Sequence, residues 1–234
     1  GSKKGSLAGR VAHIFLEEII KHCDYGIDLH TGAIHRSNLP QIRADLSDPE
    51  TEMLAKEFGA SVVLNANLRD GSLRHTSVES GTRILLYEAG QALRFDELSI
   101  QVGVRGVLNV ITKLGMLKRK RTRKAFQPYI ANDSAWVRAN SSGIVRDLKK
   151  LGDRVRKGDA LAEIGGPFGN VIDKVTATKA GIIIGKQNIP LAQEGDAMFH
   201  IAFFEEADSV VAENIEAMHE TMSNGSVFHD DKIR

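Results

Sequence analysis

Apolar residues change their spacing once along this chain, at the basic run KRKRTRK (Lys118–Lys124). Before it, short apolar runs alternate with stretches of helical period. Leu7, Val11, Ile14, Phe15 and Ile19 recur at steps of three and four, with Ser6 placed as a cap. YGIDLH then reads as a strand ending at His30, and QIRA after Pro40 as a short extended piece. DPETEMLAKEFG is a helix with Asp48 at the N-cap, Pro49 in the first turn and Gly59 as its stop. SVVLNA and RILLYEAG read as strands, with a short helix, SLRHTSVES, between them. Phe95, Leu98, Val102, Arg105, Leu108 and Ile111 trace the rows of a long helix that closes at Gly115. Strands alternating with helices predict an α/β layer around a mainly parallel sheet. Ligands of such sheets sit at the carboxyl ends of strands, where His30 and Glu88 both fall.

Beyond the basic run, β-like segments are separated by Gly-Asp turns. GIVRDLKKLGDRVRKGDALAEI (Gly143–Ile164) is echoed by GIIIGKQNIPLAQEGDAMFHI (Gly181–Ile201), which predicts a compact, pseudo-twofold β-sandwich or barrel. The repeat resembles the barrel-sandwich of biotinyl and lipoyl carriers. Those carriers need a lysine at the tip of the central hairpin, and here the tip reads Pro167-Phe168-Gly169-Asn170, which argues against that role. The expected division is an α/β layer over 1–124, a β domain over 125–205, and a helix with a polar tail over 206–234.

Composition excludes several classes. Lys+Arg 31 against Asp+Glu 30 leaves a formal charge of +1, with no footprint for nucleic acid. The basic run reads as a solvated linker, with a phosphate- or lipid-binding patch as the alternative. No apolar run approaches the roughly 18 residues of a membrane span, and the opening residues are not those of a signal peptide. The single cysteine, Cys23, cannot build an intrachain disulfide framework. The expectation is a cytoplasmic protein that binds neither nucleic acid nor membrane; a homo-oligomer stays open.

Two residues carry the sharper chemistry. His30 is either a satisfied polar residue or a metal ligand, with Asp28 two residues earlier able to orient its ring. Glu88, an acid at the mouth of an apolar strand, either pairs with a neighbouring arginine or works as a general base. Together they suggest metal-assisted hydrolysis. His35, His75 and the His13/Glu17 pair read as surface residues.

DYGIDLHTG, followed by NLPQIRA and LLYEAG, resembles the succinylglutamate desuccinylase/aspartoacylase family, zinc hydrolases related to the metallocarboxypeptidases. GDRVRKGDALAEI looks like that family's C-terminal domain. The resemblance implies a partial carboxypeptidase-like α/β fold with a mixed sheet and flanking helices, followed by a β-rich barrel-sandwich-like domain. It implies a zinc cofactor with His30 as the third ligand and Glu88 as the base, and hydrolysis of the amide of an N-acyl amino acid or similar small amine. On this reading Arg36 and Arg43 are candidates to grip a substrate carboxylate, with structural salt bridges as the alternative, and Arg74 is a third, weaker candidate. The family's first two zinc ligands and its Asn-Arg pair belong to an upstream segment that this sequence does not contain. The expectation is an enzyme in the intact gene product and an inactive chain here. The competing expectation is a non-catalytic protein that recognises a partner through the β domain.

Overall fold

The computed structural model describes residues 1–66, 71–118 and 128–203. Helix α1 (Leu7–Glu18) is followed by β1 (Tyr25–Gly32), β2 (Arg36–Ala44), α2 (Pro49–Phe58), β3 (Val62–Asn65), α3 (Leu73–Glu79), β4 (Arg83–Gln91) and α4 (Glu97–Lys113). The remaining elements are strands: β5 (Tyr129–Ala131), β6 (Asp133–Arg138), β7 (Gly143–Asp147), β8 (Arg154–Val155), β9 (Ala160–Gly165), β10 (Val171–Thr176), β11 (Gly181–Gln187), β12 (Leu191–Ala192) and β13 (Ala197–Phe203). The basic linker beyond Lys118 and the expected C-terminal helix lie outside the described residues. No helix among the described residues is long and apolar enough to cross a membrane.

Local signals set the helix ends. Ser6, Asp48, Ser72 and Asp96 each accept a backbone N–H in the first turn of the helix that follows. Helix α2 stops at Gly59, whose φ of 83° is the left-handed conformation that glycine adopts without strain. Two expectations need correction. The extended piece at QIRA is the second half of a nine-residue strand, β2. In α4 the buried row is Val102, Gly106 and Val110, flanked by Gln101 and Gly103, whereas Phe95 is 98% exposed and Leu108 is exposed too. The glycines decide this: Gly106 sits against the Phe58 ring and Gly103 against Tyr87, so the helix packs closest where it has no side chains.

The sheet is mixed. Strand β1 runs parallel to β4, and β3 runs parallel to β2 and β5, but β2 and β4 are antiparallel. Ile42, Ala44, Val63, Leu85 and Tyr87 point to one face and form a core with Leu54 and Phe58 of α2 and Val102 and Val110 of α4. Alternation along the strands sends Gln41, Arg43 and Glu88 to the other face.

The C-terminal half is a two-sheet sandwich, but one of its sheets is shared with the α/β layer. Strands β10-β9-β7-β12 form a separate four-stranded sheet, while β11, β13 and β6 extend the sequence β1-β4-β2 into one continuous nine-stranded sheet. Strand β2 is the seam: residues 36–38 pair with β11 and residues 41–44 with β3. Leu161, Ile164, Ile183, Phe199 and Ile201 fill the sandwich. Leu39, Val62, Leu64, Tyr129, Ile182 and Ile184 seal the junction. The hairpin tip carries Phe168, fully exposed, and Lys174 lies within β10, 3.5 Å from Glu163. The apolar stripe of α1 (Leu7, Val11, Ile14, Phe15) is exposed, as is Leu29 of β1 at the end of the sheet.

Candidate active site

His30 and Glu88 stand side by side near the carboxyl ends of two parallel strands, paired in register between β1 and β4. Neighbouring strands run about 4.8 Å apart and in-register side chains share a face, so the two groups look into one space. The β1 register breaks between His30 and Gly32, directly beyond the pair. Gly32 is there for close approach: a Cβ would fall 2.1 Å from the Arg36 carbonyl oxygen and 2.9 Å from that of Gly90.

His30 is half exposed, and its Nε2 lies 3.0 Å from Asp28 Oδ2. Asp28 thus holds one ring nitrogen, and Nδ1 has no hydrogen-bond partner among the described residues, the arrangement in which a carboxylate orients a ligating imidazole. Among the described residues no group of three or more His, Cys, Asp and Glu side chains comes together to hold a metal. A catalytic zinc takes three protein ligands, and these residues offer one. They do not by themselves constitute a zinc centre.

Glu88 is held on both oxygens. Asn38 donates Nδ2–H to Oε2 at 2.9 Å, and Arg43 Nε lies 3.4 Å from Oε1, an ion pair without an aligned hydrogen bond. The Arg43 and Glu88 side chains are 19% and 17% exposed, so their attraction is little screened by water. Arg43 therefore meets the glutamate of the site. Gln41, opposite Glu88 in register, is completely buried, and among the described residues neither of its amide atoms has a hydrogen-bond partner. Arg36 lies at the start of β2 with its guanidinium carbon 5.2 Å from the centre of the Trp136 ring. Arg74 is on α3, which packs on β4. His35 adopts a φ of 64° in the exposed turn between β1 and β2, and His75 lies 3.8 Å from Glu79.

Sequence reasoning passed over Asn38, His200 and Trp136. His200 of β13 is 5% exposed, bonded to Ser134 Oγ at 3.0 Å and stacked on Trp136 with ring centres 4.8 Å apart. Burial, and then the charge of Arg43, push its pKa down to about 3, so the ring is neutral at neutral pH. The available signal was a histidine inside the apolar strand AMFHIAF, since a buried polar side chain implies a partner. Asn38 offered only its place in NLPQIRA.

Residues 3–114 match the family model of the succinylglutamate desuccinylase/aspartoacylase catalytic domain. No curated protein matches the sequence. Among solved structures, the chain is similar to the apo form of the ectoine utilization protein EutE (DoeB) from Ruegeria pomeroyi, with 20% identity and a TM-score of 0.77. That likeness covers 87% of this chain and 68% of the other. A succinylglutamate desuccinylase/aspartoacylase from Rhodobacter sphaeroides is similar at 20% identity and a TM-score of 0.73, over 87% of this chain and 66% of that one. An aspartoacylase family protein from Mesorhizobium loti is similar at 20% identity and a TM-score of 0.68, over 88% of this chain and 65% of that one. The chain thus spans about two thirds of the length of these structures, and at such identity the likeness is one of fold. Sequence and fold agree through the layer that carries His30 and Glu88: residues 3–114 match the catalytic domain of the succinylglutamate desuccinylase/aspartoacylase family, and the whole described chain shares its fold with solved structures of that family.

Proposed function

We propose that this chain carries the proton-transfer and substrate-holding part of a zinc-dependent hydrolase that removes an acyl group from an N-acyl amino acid by amide hydrolysis. The reading rests on one observation: His30 and Glu88 pair in register at the carboxyl ends of parallel strands. Relatives bear on the substrate class, since family members are deacylases and a product-bound form of EutE (DoeB) is among the similar structures.

In this reading Glu88 takes a proton from the water that attacks the amide carbonyl and returns it to the departing amine nitrogen. An ionised carboxylate has about four lone-pair positions. Asn38 and Arg43 engage each oxygen from one side, which fixes the carboxylate and leaves it acceptor capacity. Asn38 cannot accept a proton in exchange, so the carboxylate is the basic group of the pair. His30 would be one ligand of the zinc, with Asp28 orienting it.

Glu88→Gln keeps the size of the side chain and removes its basicity. Turnover of an N-acyl amino acid by the longest natural form of the protein should fall by about 100-fold or more, with the far-ultraviolet circular dichroism unchanged. Activity within a few-fold of wild type in a folded variant would refute the role.

A further inference from the structure

A guanidinium, an indole and an imidazole are layered at the edge of the site. Arg36 lies over Trp136 at 5.2 Å, and Trp136 is stacked on His200 at an interplanar angle of 11°. The bottom layer is rigid, because His200 is buried and bonded to Ser134. The top layer is half-buried, with its guanidinium carbon over the indole. Among the described residues Arg36 makes no ion pair, and its side chain makes no hydrogen bond.

The stack is joined to Glu88 through contacts on the same face. Asn38, two residues after Arg36, donates to Glu88 and pairs in register with Gly185 of β11. Gly185 pairs in turn with His200, and His200 with Trp136. A Cβ on residue 185 would fall 3.0 Å from His200 Cβ, 3.1 Å from Asn38 Oδ1 and 3.4 Å from Trp136 Cη2. The glycine leaves open the one position that the indole tip and the Asn38 amide both border. The registers of β2 on β4 and of β11 on β13 both break beside this row, between Asn38 and Gln41 and between Ile183 and Gly185. Bulges of this kind re-aim side chains next to active sites.

We infer that Arg36 and Trp136 form a carboxylate-binding subsite of the candidate active site, built jointly by β2 and by β6 of the C-terminal sandwich. The physical reason lies in the guanidinium. It is held over the indole by a cation–π contact that uses none of its N–H donors, so those paired donors are what it can offer a ligand. They match a carboxylate bidentately. Holding the guanidinium over the indole beforehand reduces the ordering needed on binding. The inference rests on the reading of this face as a substrate site, and it assigns to Arg36 the carboxylate of the N-acyl amino acid.

Trp136 is the only tryptophan of the chain, so its fluorescence reports on the stack directly. The 234-residue protein is titrated at constant ionic strength with succinate and, separately, with the uncharged succinamide. A saturable change in emission with succinate and none with succinamide is expected. Arg36→Gln should weaken the response at least about tenfold, the loss of a charge-assisted bidentate contact. Arg36→Lys, which keeps the charge but not the flat fork, should fall between the two. A wild-type protein silent to succinate, or an equal response in folded Arg36→Gln, overturns the subsite and leaves the stack as a brace between β2 and β6. Glu88→Gln should keep the succinate response. A subsite that fails while Glu88→Gln still abolishes turnover, or the reverse, separates the two readings.

Discussion

Asn38 reaches Glu88 only because β2 slips by one residue against β4 on the way to it. Gln41 pairs with Glu88 and Arg43 with Leu86, yet Asn38 pairs with Gly90 rather than Gln91. Side chains alternate, so without the slip Asn38 would point with Ile42 toward the helices. Pro40 lies within the irregular stretch, where its missing N–H removes no regular ladder bond. The slip thus turns an asparagine into the donor for Glu88 Oε2.

That bond should be measurable as a coupling. Asn38→Ala is expected to lower stability by about 1–3 kcal/mol, because it leaves one oxygen of a half-buried carboxylate without its donor. In a urea-denaturation cycle with Glu88→Gln, the double variant should lose less than the sum of the singles, by about 1 kcal/mol. Simple additivity would show that the two side chains do not act together.

Gly106→Ala tests the packing of α4. A Cβ there falls 2.2 Å from Phe58 Cε1, and the ring is fully buried. The gain in helix propensity is about 1 kcal/mol, and overpacking of a filled core costs about 1–3 kcal/mol. A net loss of stability is expected in thermal melts, relieved by combining it with Phe58→Leu. A raised Tm for the single variant would mean that the ring moves aside without penalty.

Stability should fall as pH drops below neutrality, through His200. The folded protein keeps this ring neutral down to about pH 3, whereas an unfolded chain takes up the proton near 6.5. Between those values the unfolded state binds more protons, so acid favours unfolding by up to about 1.4 kcal/mol per pH unit from this one group. Above 6.5 it contributes no slope. Asp48, held down to about 2 by Arg83 and Thr51, loses its contribution only below 3.8 and is separable on that basis. His200→Gln should flatten the slope between pH 6.5 and 4 in urea titrations. An unchanged slope would mean that the ring is solvated in the folded state.

Metal content tests His30. In the longest natural form of the protein, His30→Ala should lose most of a zinc complement of about one, and Asp28→Asn should weaken zinc binding about 10-fold. The 234-residue chain by itself should hold zinc weakly, as one ligand would. Near-stoichiometric zinc in His30→Ala by elemental analysis would remove this residue from the site.

Much of the α/β layer was legible because its signals are local. Asp48 caps its helix through Thr51, three residues on, and Gly59 ends it by its own φ, so both can be read from a short window. Likewise, DLHTG and LLYEAG mark strand ends whatever lies beside them, which is why His30 and Glu88 stood out. Tertiary structure alone decided that the two strands are neighbours, and that Asn38, Trp136 and His200 surround what they form. Those contacts join residues separated by 50 to 66 positions, and they depend on a one-residue slip that no periodicity encodes. The exposed Leu108 and the buried Gly106 make the same point within a single helix. Apolar spacing tells which residues could be buried, but close approach of partner elements selects which are, and that choice belongs to the packed chain.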